Sequence, residues 1–321
     1  MATTTISTSH GLTNEQWNAS LFSTYQEKTF FSRFKGTDAG AVVQVKRELQ
    51  KMPGDAINFG LAGTLSGSGV AGNNVLGTGD TSNEEAMAFF DQRVVIDQIR
   101  NGTRIAGLMD EKRVAFNMRN QAKSQLTDWM ARNEDAALFT TVNTCDVVAT
   151  GFITGTGLTV DAIIDMKKEA MFPSTNNVST GVKTRKIKPY TIEMGEEVFI
   201  LGVNPADAAA LKKSSDFKTY QYTGNVRGGD NPIFTGALGN VNGVIIHEHS
   251  GFAAGAPVLM GAQALLLAYG KEIMYGEDTF DYDNQTGFMI GSVRGVALTE
   301  FTDTSDDTTG SFGAIKFNIA S

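Results

Sequence analysis

The sequence predicts an α+β protein, and three observations carry that prediction. A stretch of roughly 30 residues, Asp110–Phe139, holds no proline or glycine and repeats apolar residues at spacings of three and four. Several short apolar runs, Val198–Val203 and Val244–Ile246 among them, have the length and β-branched character of strands. Helical and strand-like stretches do not alternate as a βαβ series, so a doubly wound parallel sheet is not expected.

Residues 1–41 read as an N-terminal arm, polar at first and then carrying Trp17, Phe22, Tyr25, Phe30, Phe31 and Phe34. Asn14–Gln16 open a helix towards Lys28, with Trp17, Leu21, Phe22 and Tyr25 on one face. Large apolar side chains with few apolar neighbours must lean on something, either the body of the chain or a neighbouring subunit.

Val42–Leu49 reads as a strand, Pro53-Gly54 turns the chain, and Ile57, Phe59 and Leu61 alternate in a second strand. Seven of the twenty residues 60–79 are glycine. Strand character returns over Glu84–Ile99 through Met87, Phe89, Phe90 and Val94–Ile96. Residues 42–100 therefore form a two-stranded excursion with a pliable tip, and long loops of this kind are commonly functional. The tip contains Gly67-Ser68-Gly69-Val70-Ala71-Gly72, a formal GxGxxG. No helix follows to present its N-terminus to a pyrophosphate, so no dinucleotide site is expected.

The helix Asp110–Phe139 would be a rod of about 45 Å. Val114, Met118, Ala122, Leu126, Trp129 and Met130 make its apolar stripe. Gly151–Gly157 leads to a second amphipathic helix, Val160–Phe172, ended by Pro173. Strands follow at Ile187–Ile192 and Glu197–Gly202. Asn204-Pro205 opens another helix, with asparagine as the cap and proline at the first helical position. Tyr220–Asp230 reads as a polar loop. Asn231-Pro232 then turns the chain, Gly236, Gly239 and Gly243 let it bend, and Val244–Ile246 is a short buried strand. Val258–Ala262, Ala264–Tyr269, Glu272–Tyr275 and Phe288–Leu298 are strand-like. Asp303–Gly310 is an acidic turn, and Gly313–Ile319 a last strand.

With 321 residues, 41% of them apolar, the chain can build a large single domain or two to three subdomains sharing a sizeable core. Its net charge is −8 without any long run of like charges. That argues against a sequence-independent nucleic-acid binder, which needs clustered lysine and arginine. The single cysteine, Cys145, allows no internal disulfide, and its valine neighbours give it the setting of a buried thiol. No basic-then-apolar leader and no apolar stretch of about 18 residues occurs, so neither secretion nor a membrane span is expected.

Motifs of catalysis are scarce. GxSxG is absent, and Gly270-Lys271 is followed by Glu272 rather than the serine or threonine of a P-loop. Asp303, Asp306 and Asp307 read as a solvated turn rather than an acid–base pair. His247-Glu248-His249 is the one metal-like cluster, since residues two apart on a strand face the same way. The only other histidine is His10, and no further ligands are marked. No metal, no cofactor and no enzymatic activity are therefore expected, with His247 and His249 kept as weak metal candidates. A metal-dependent hydrolase using that pair is disfavoured by ligand supply.

Two tracts carry a resemblance. Asn83-Glu84-Glu85-Ala86 followed by Val95-Ile96-Asp97-Gln98-Ile99-Arg100-Asn101 resembles the return strand of the extended loop in tailed-phage major capsid proteins of the Hong Kong 97 fold, in the family typified by the N-four-like phages. Asn231–Gly239 with Asn242–His249 is similar to that family's most recognisable segment. Its fingerprint residues here are Asn231, Pro232, Phe234, Gly236, Gly239, Gly243, His247, Glu248 and His249. The run from Arg294-Gly295-Val296 to Phe312-Gly313-Ala314-Ile315 fits its C-terminal strands, although Ala297-Leu298 stands where basic residues are expected. The resemblance covers residues 40–320.

What the resemblance implies is a structural protein. It divides the chain into an N-terminal arm (1–41), an extended loop (42–104), a peripheral domain with a spine helix (105–189, helix 109–139), and an axial domain with returning peripheral strands (190–321). Intersubunit contacts are expected at Trp17, Phe22, Phe30, Phe31, Phe59, Leu61, Leu65, Phe89 and Phe90. The implied partners are copies of itself in hexamers and pentamers, a portal protein, and scaffold and decoration proteins. The implied shell encloses double-stranded DNA, assembles in the host cytoplasm and involves no membrane. An encapsulin-like cellular compartment of the same fold is the alternative, and the Asn231–His249 tract argues for the phage branch.

Overall fold

The computed structural model is a mixed α+β protein, as the sequence predicts. It describes residues 29–48, 54–62, 65, 69–72, 84, 87, 89–114, 116–145, 147–148, 157–172, 186–191, 197–223, 237–303 and 308–319. Trp17, Phe22, Asn231, Pro232, Phe234, Gly236 and most of the glycine-rich tip lie outside these residues.

After a 3-10 turn at Phe31–Phe34, β1 (Lys35–Gly36) and β2 (Val43–Lys46) pair in parallel. β3 (Ala56–Ala62) and β4 (Phe89–Val95) form an antiparallel pair with Ile57 opposite Val94. The alternation expected in β3 is present, with Ile57 and Phe59 buried while Asn58 and Gly60 are exposed. β5 (Asp97–Ile105) follows.

The single helix expected over 110–139 is two helices, α1 (Leu108–Arg113) and α2 (Met118–Asn143). Val114 is extended, with φ −103° and ψ 149°. Asn117 starts α2 by accepting the Asn120 N–H on its side chain at 3.1 Å and the Gln121 N–H on its carbonyl. Asparagine is among the best residues for such a cap, and this one outweighs the absence of a helix breaker. Arg119 reaches back across the gap to Glu111 at 2.9 Å.

β6 (Val147–Val148) is followed by α3 (Val160–Met171), whose cap Thr159 accepts the Ala162 N–H. β7 (Tyr190–Thr191) and β8 (Glu197–Val203) precede α4 (Pro205–Lys213), which Asn204 caps as expected. A further helix, α5 (Ser215–Thr223), takes the first part of the loop expected from Tyr220. Its signal was Ser214, whose hydroxyl accepts the Phe217 N–H at 3.3 Å.

β9 (Gly239–Val241) and β10 (Val244–Glu248) form a hairpin across Asn242-Gly243. Both turn residues have positive φ, 50° and 77°, the conformation that Asn-Gly adopts readily in two-residue hairpins. Next come β11 (Val258–Met260), β12 (Leu265–Phe280), β13 (Gln285–Leu298), β14 (Glu300–Asp303), β15 (Thr308–Ser311) and β16 (Ala314–Phe317). The separate strands expected at 264–269 and 272–275 are one strand of 16 residues, and β15 occupies the second half of the expected acidic turn.

The chain divides into two compact units. Among the described residues the first holds 100–132 and 273–291. Its core is Leu126 and Met130 of α2 against Ile105, Phe288 and Ile290, with Met118, Ala122 and Trp129 at the margin. The expected stripe thus faces this core, with Leu126 and Met130 buried and Met118, Ala122 and Trp129 partly so.

The second unit holds 29–99, 133–272 and 292–319 among the described residues. A mixed sheet runs in the order β6-β16-β11-β8-β10-β9, with β7 also on β8. Alternate residues of β8 enter different cores: Phe199, Leu201 and Val203 join α3, α4 and α5 on one side, and Ile200 joins Phe31, Leu138 and Val258 on the other. Covering on both faces explains why β8 is apolar at nearly every position. Within the same unit β2 also pairs in parallel with β12, Leu265 lying opposite Val43 and Leu267 opposite Val45.

Candidate assembly surfaces

The histidines of the Asn231–His249 tract, His247 and His249, are ring neighbours of phenylalanines. His247, 5% exposed, meets Phe30 and Phe34 edge to face at 5.7 and 5.4 Å. His249 stacks on Phe139 at 4.6 Å with the planes 10° apart, and its Nδ1 accepts the Gly251 N–H at 3.0 Å. Strand alternation does send both rings the same way, as expected. What they meet is an aromatic core, and one lone pair a metal would need is already used. Among the described residues no three His, Cys, Asp or Glu side chains converge as a metal group. The neighbouring Glu248 faces outward and pairs with Lys212 at 2.6 Å.

Phe30 and Phe31 were expected to contact other subunits, and the structure corrects this. They are 2% and 0% exposed, packed with Phe139, Phe252 and Leu138 in the core of their own subunit. Asp135 of α2 fixes them there, its two carboxylate oxygens each accepting one backbone N–H, from Phe30 and from Phe31, at 2.9 Å. Phe59 is corrected on the same grounds, being 4% exposed against Leu266 and Ala268. Cys145 is buried, and its thiol donates to the Ala314 carbonyl at 3.2 Å.

Beside Asp135 lies a polar cluster that the sequence reading missed. Glu134 receives Lys35 and Arg294, and Arg294 also donates to Asn133 and to Ser292 Oγ. Burial lowers the Arg294 pKa, against which the Glu134 charge acts. The Tyr269 hydroxyl is pushed well above its ordinary value, chiefly by burial and then by the Glu134 carboxylate to which it hydrogen-bonds. The cluster ties the N-terminal segment, the end of α2 and strands β12 and β13 together. A signal existed: Glu134 falls in the four-residue row Met118, Ala122, Leu126, Met130, Leu138, Val142. An acid in an apolar row has to be paired once buried.

Four of the exposed large apolar side chains lie on the β3–β4 excursion. Phe89 is 67% exposed, Leu65 63%, Met87 70% and Val95 60%. Leu61 is half-buried, as is Phe90, whose ring lies 6.4 Å from that of Phe312. The base of the excursion is fixed to its own unit: Gln92 donates to the Leu298 carbonyl and accepts the Glu300 N–H at 3.1 Å. A rigid base that carries exposed apolar groups is suited to holding another protein surface. No helix of the described residues is long and apolar enough to cross a membrane.

Known proteins with a similar plan include phage capsids. A family model described as phage capsid protein matches residues 5–186 and 143–318. The major capsid protein of Pseudomonas phage KPP25 is 27% identical, the alignment covering 96% of each chain. Among solved structures, the capsid of Ralstonia phage GP4 superimposes with a TM-score of 0.76 at 23% identity, covering 100% of this chain and 99% of that one. The head of Helicobacter pylori bacteriophage KHP40 gives 0.79 at 17% identity, covering 97% and 96%. With one family model accounting for the arm, the excursion, both units and the closing strands, this chain belongs to the phage capsid protein family.

Proposed function

We propose that the chain is the major capsid protein of a tailed phage, assembling with copies of itself into the icosahedral head around double-stranded DNA. The observation that carries this reading is the family match, which runs through almost the entire chain. In this reading the fold is Hong Kong 97-like. Residues 42–104 are the extended loop that lies over a neighbour, 105–189 the peripheral domain with its spine helix, and 190–321 the axial domain and returning strands. The arm, 1–41, adds Trp17 and Phe22 to the contacts. Leu61, Leu65, Phe89 and Phe90 are the side chains the loop offers, a role supported by the exposure of Leu65 and Phe89.

Closing a shell needs many repeated contacts, each modest, whose symmetry does the rest. A net charge of −8 suits an inner wall that confines DNA without gripping it. A portal protein at one vertex, with scaffold and decoration proteins, completes the partners, and assembly takes place in the host cytoplasm. Expression of the chain alone, followed by electron microscopy, tests the reading. Shells, tubes or capsomers are the expected outcome. A stable monomer that turns over a substrate would overturn it.

A further inference from the structure

The excursion leaves its unit without a backbone ladder to direct it. Among the described residues β3 and β4 pair only with each other, and β14 runs beside β4 without pairing to it. Apolar packing holds the base, through Ile57, Phe59 and Val94 against Leu266 and Ala268. Such packing is non-directional, so it keeps the ribbon attached without fixing the angle at which it stands.

One side chain supplies the direction. The Gln92 amide donates through Nε2 to the Leu298 carbonyl and accepts the Glu300 N–H on Oε1 at 3.1 Å. A carbonyl and an N–H on the same stretch of chain are what a pairing strand would meet, so the amide stands in for a peptide group between β4 and β14. The segment it grips is itself fixed. Thr299, 6% exposed, donates its N–H to the Ala264 carbonyl at 3.3 Å and its hydroxyl to the Gln263 carbonyl, and its own carbonyl accepts the Phe312 N–H at 3.1 Å. Two bonds from one planar group to two fixed points define orientation as well as position.

Phe89 lies on the same strand as Gln92, about 10 Å along it. A turn of about 20° at Gln92 would carry Phe89 by about 3.5 Å, the separation of two carbon atoms in contact. A small error in angle is therefore enough to miss a partner.

We infer that Gln92 is the positioning residue of the excursion: its amide sets the angle at which β3 and β4 present Phe89 to a neighbouring copy. The inference rests on the capsid reading and deepens it by naming what aims the extended loop. Glutamine meets both backbone partners, whereas glutamate offers no donor and leucine neither donor nor acceptor.

The test compares Gln92→Leu and Gln92→Glu with Arg93→Ala, a control whose side chain pairs with Asp55 inside the excursion. Spin labels on Asp91→Cys and Lys213→Cys, two exposed positions of the second unit, report the angle in the unassembled subunit. The parent and the control are expected to give one narrow distance distribution. Both Gln92 variants are expected to give one about twice as wide, since two directional bonds no longer limit it. Without the labels, the Gln92 variants are expected to need about tenfold more protein to form closed shells in light scattering and electron microscopy, the scale of one lost contact hot spot. Their unassembled subunits are expected to melt within about 4 °C of the parent. Parent-like distances in the Gln92 variants, or wider distances with parent-like assembly, would overturn the inference while leaving the capsid reading standing. A much larger fall in melting temperature for both variants would make the amide a folding contact and would overturn it too. A parent chain that forms neither shells nor capsomers would instead overturn the capsid reading.

Discussion

Arg294 meets Glu134 across 160 residues of sequence, Nη1 to Oε2 at 3.5 Å, with the arginine side chain 1% exposed and the glutamate 15%. A buried pair adds little net stability when complete, but half of one is costly. Arg294→Ala leaves Glu134 with Lys35 and the Tyr269 hydroxyl but without its buried cation, and the expected loss is about 3–5 kcal/mol. Urea unfolding of the unassembled subunit measures it. A loss below about 1 kcal/mol would mean that water enters and solvates the carboxylate.

Tyr269 makes the same cluster sensitive to alkali. Its folded pKa is raised, first by burial and then by Glu134, so the folded state favours the neutral phenol. The stability this contributes is complete below the ordinary tyrosine pKa of about 10. It declines as pH rises through that value towards the folded one, because the unfolded chain ionises first. The wild type is therefore expected to exceed Tyr269→Phe by about 1–2 kcal/mol near neutrality, through the hydrogen bond to a charged acceptor. That gap should narrow above about pH 10. Melting curves of both proteins between neutral and alkaline pH check the sign, and a gap that widens with pH would contradict it.

Phe30 and Phe89 should behave in opposite ways, one being buried and the other exposed. Phe30 touches Phe31, Phe34, Phe139, Phe252 and both histidines, so Phe30→Ala is expected to cost the isolated subunit about 3–5 kcal/mol. Phe89→Ala is expected to change subunit stability by no more than about 0.5 kcal/mol while slowing shell closure. Denaturation and light scattering, run on both variants, separate the roles. Equal effects on folding would remove Phe89 from the assembly surface. A chelator is expected to leave the wild-type melting temperature unchanged, and a clear drop would return His247 and His249 to metal binding.

Local chemistry explains which parts of the fold were legible. Thr159 and Asn204 cap helices through neighbours two or three residues away, and the alternation of Ile57, Asn58 and Phe59 is set by one sheet face. The hairpin at Asn242-Gly243 and the helix start at Asn117 were equally local, and their side-chain signals were simply outweighed by longer patterns. β12 is different. It runs on through Gly270 and Gly276 because a side chain at Gly270 would press on Ile96, and one at Gly276 on Met289. Only the assembled sheet reveals those neighbours. The aromatic core around Phe30 and the Arg294–Glu134 pair likewise join residues more than a hundred positions apart, beyond any spacing rule.

Deleting residues 60–80 gives the most direct check on the excursion. The deletion removes the end of β3 but keeps Ile57 and Phe59, which pack with Val94 and Leu266. It also keeps Gln92 with its two bonds to the chain at Leu298 and Glu300. The shortened excursion therefore retains its anchorage, and shortening a surface loop changes its closure entropy by about 1 kcal/mol or less. A soluble subunit with a nearly unchanged melting temperature is expected, together with capsomers or irregular aggregates in place of closed shells. Closed, regular particles from this variant would show that the glycine-rich tip is not what reaches a neighbour, and the extended-loop assignment of residues 42–104 would fall with it.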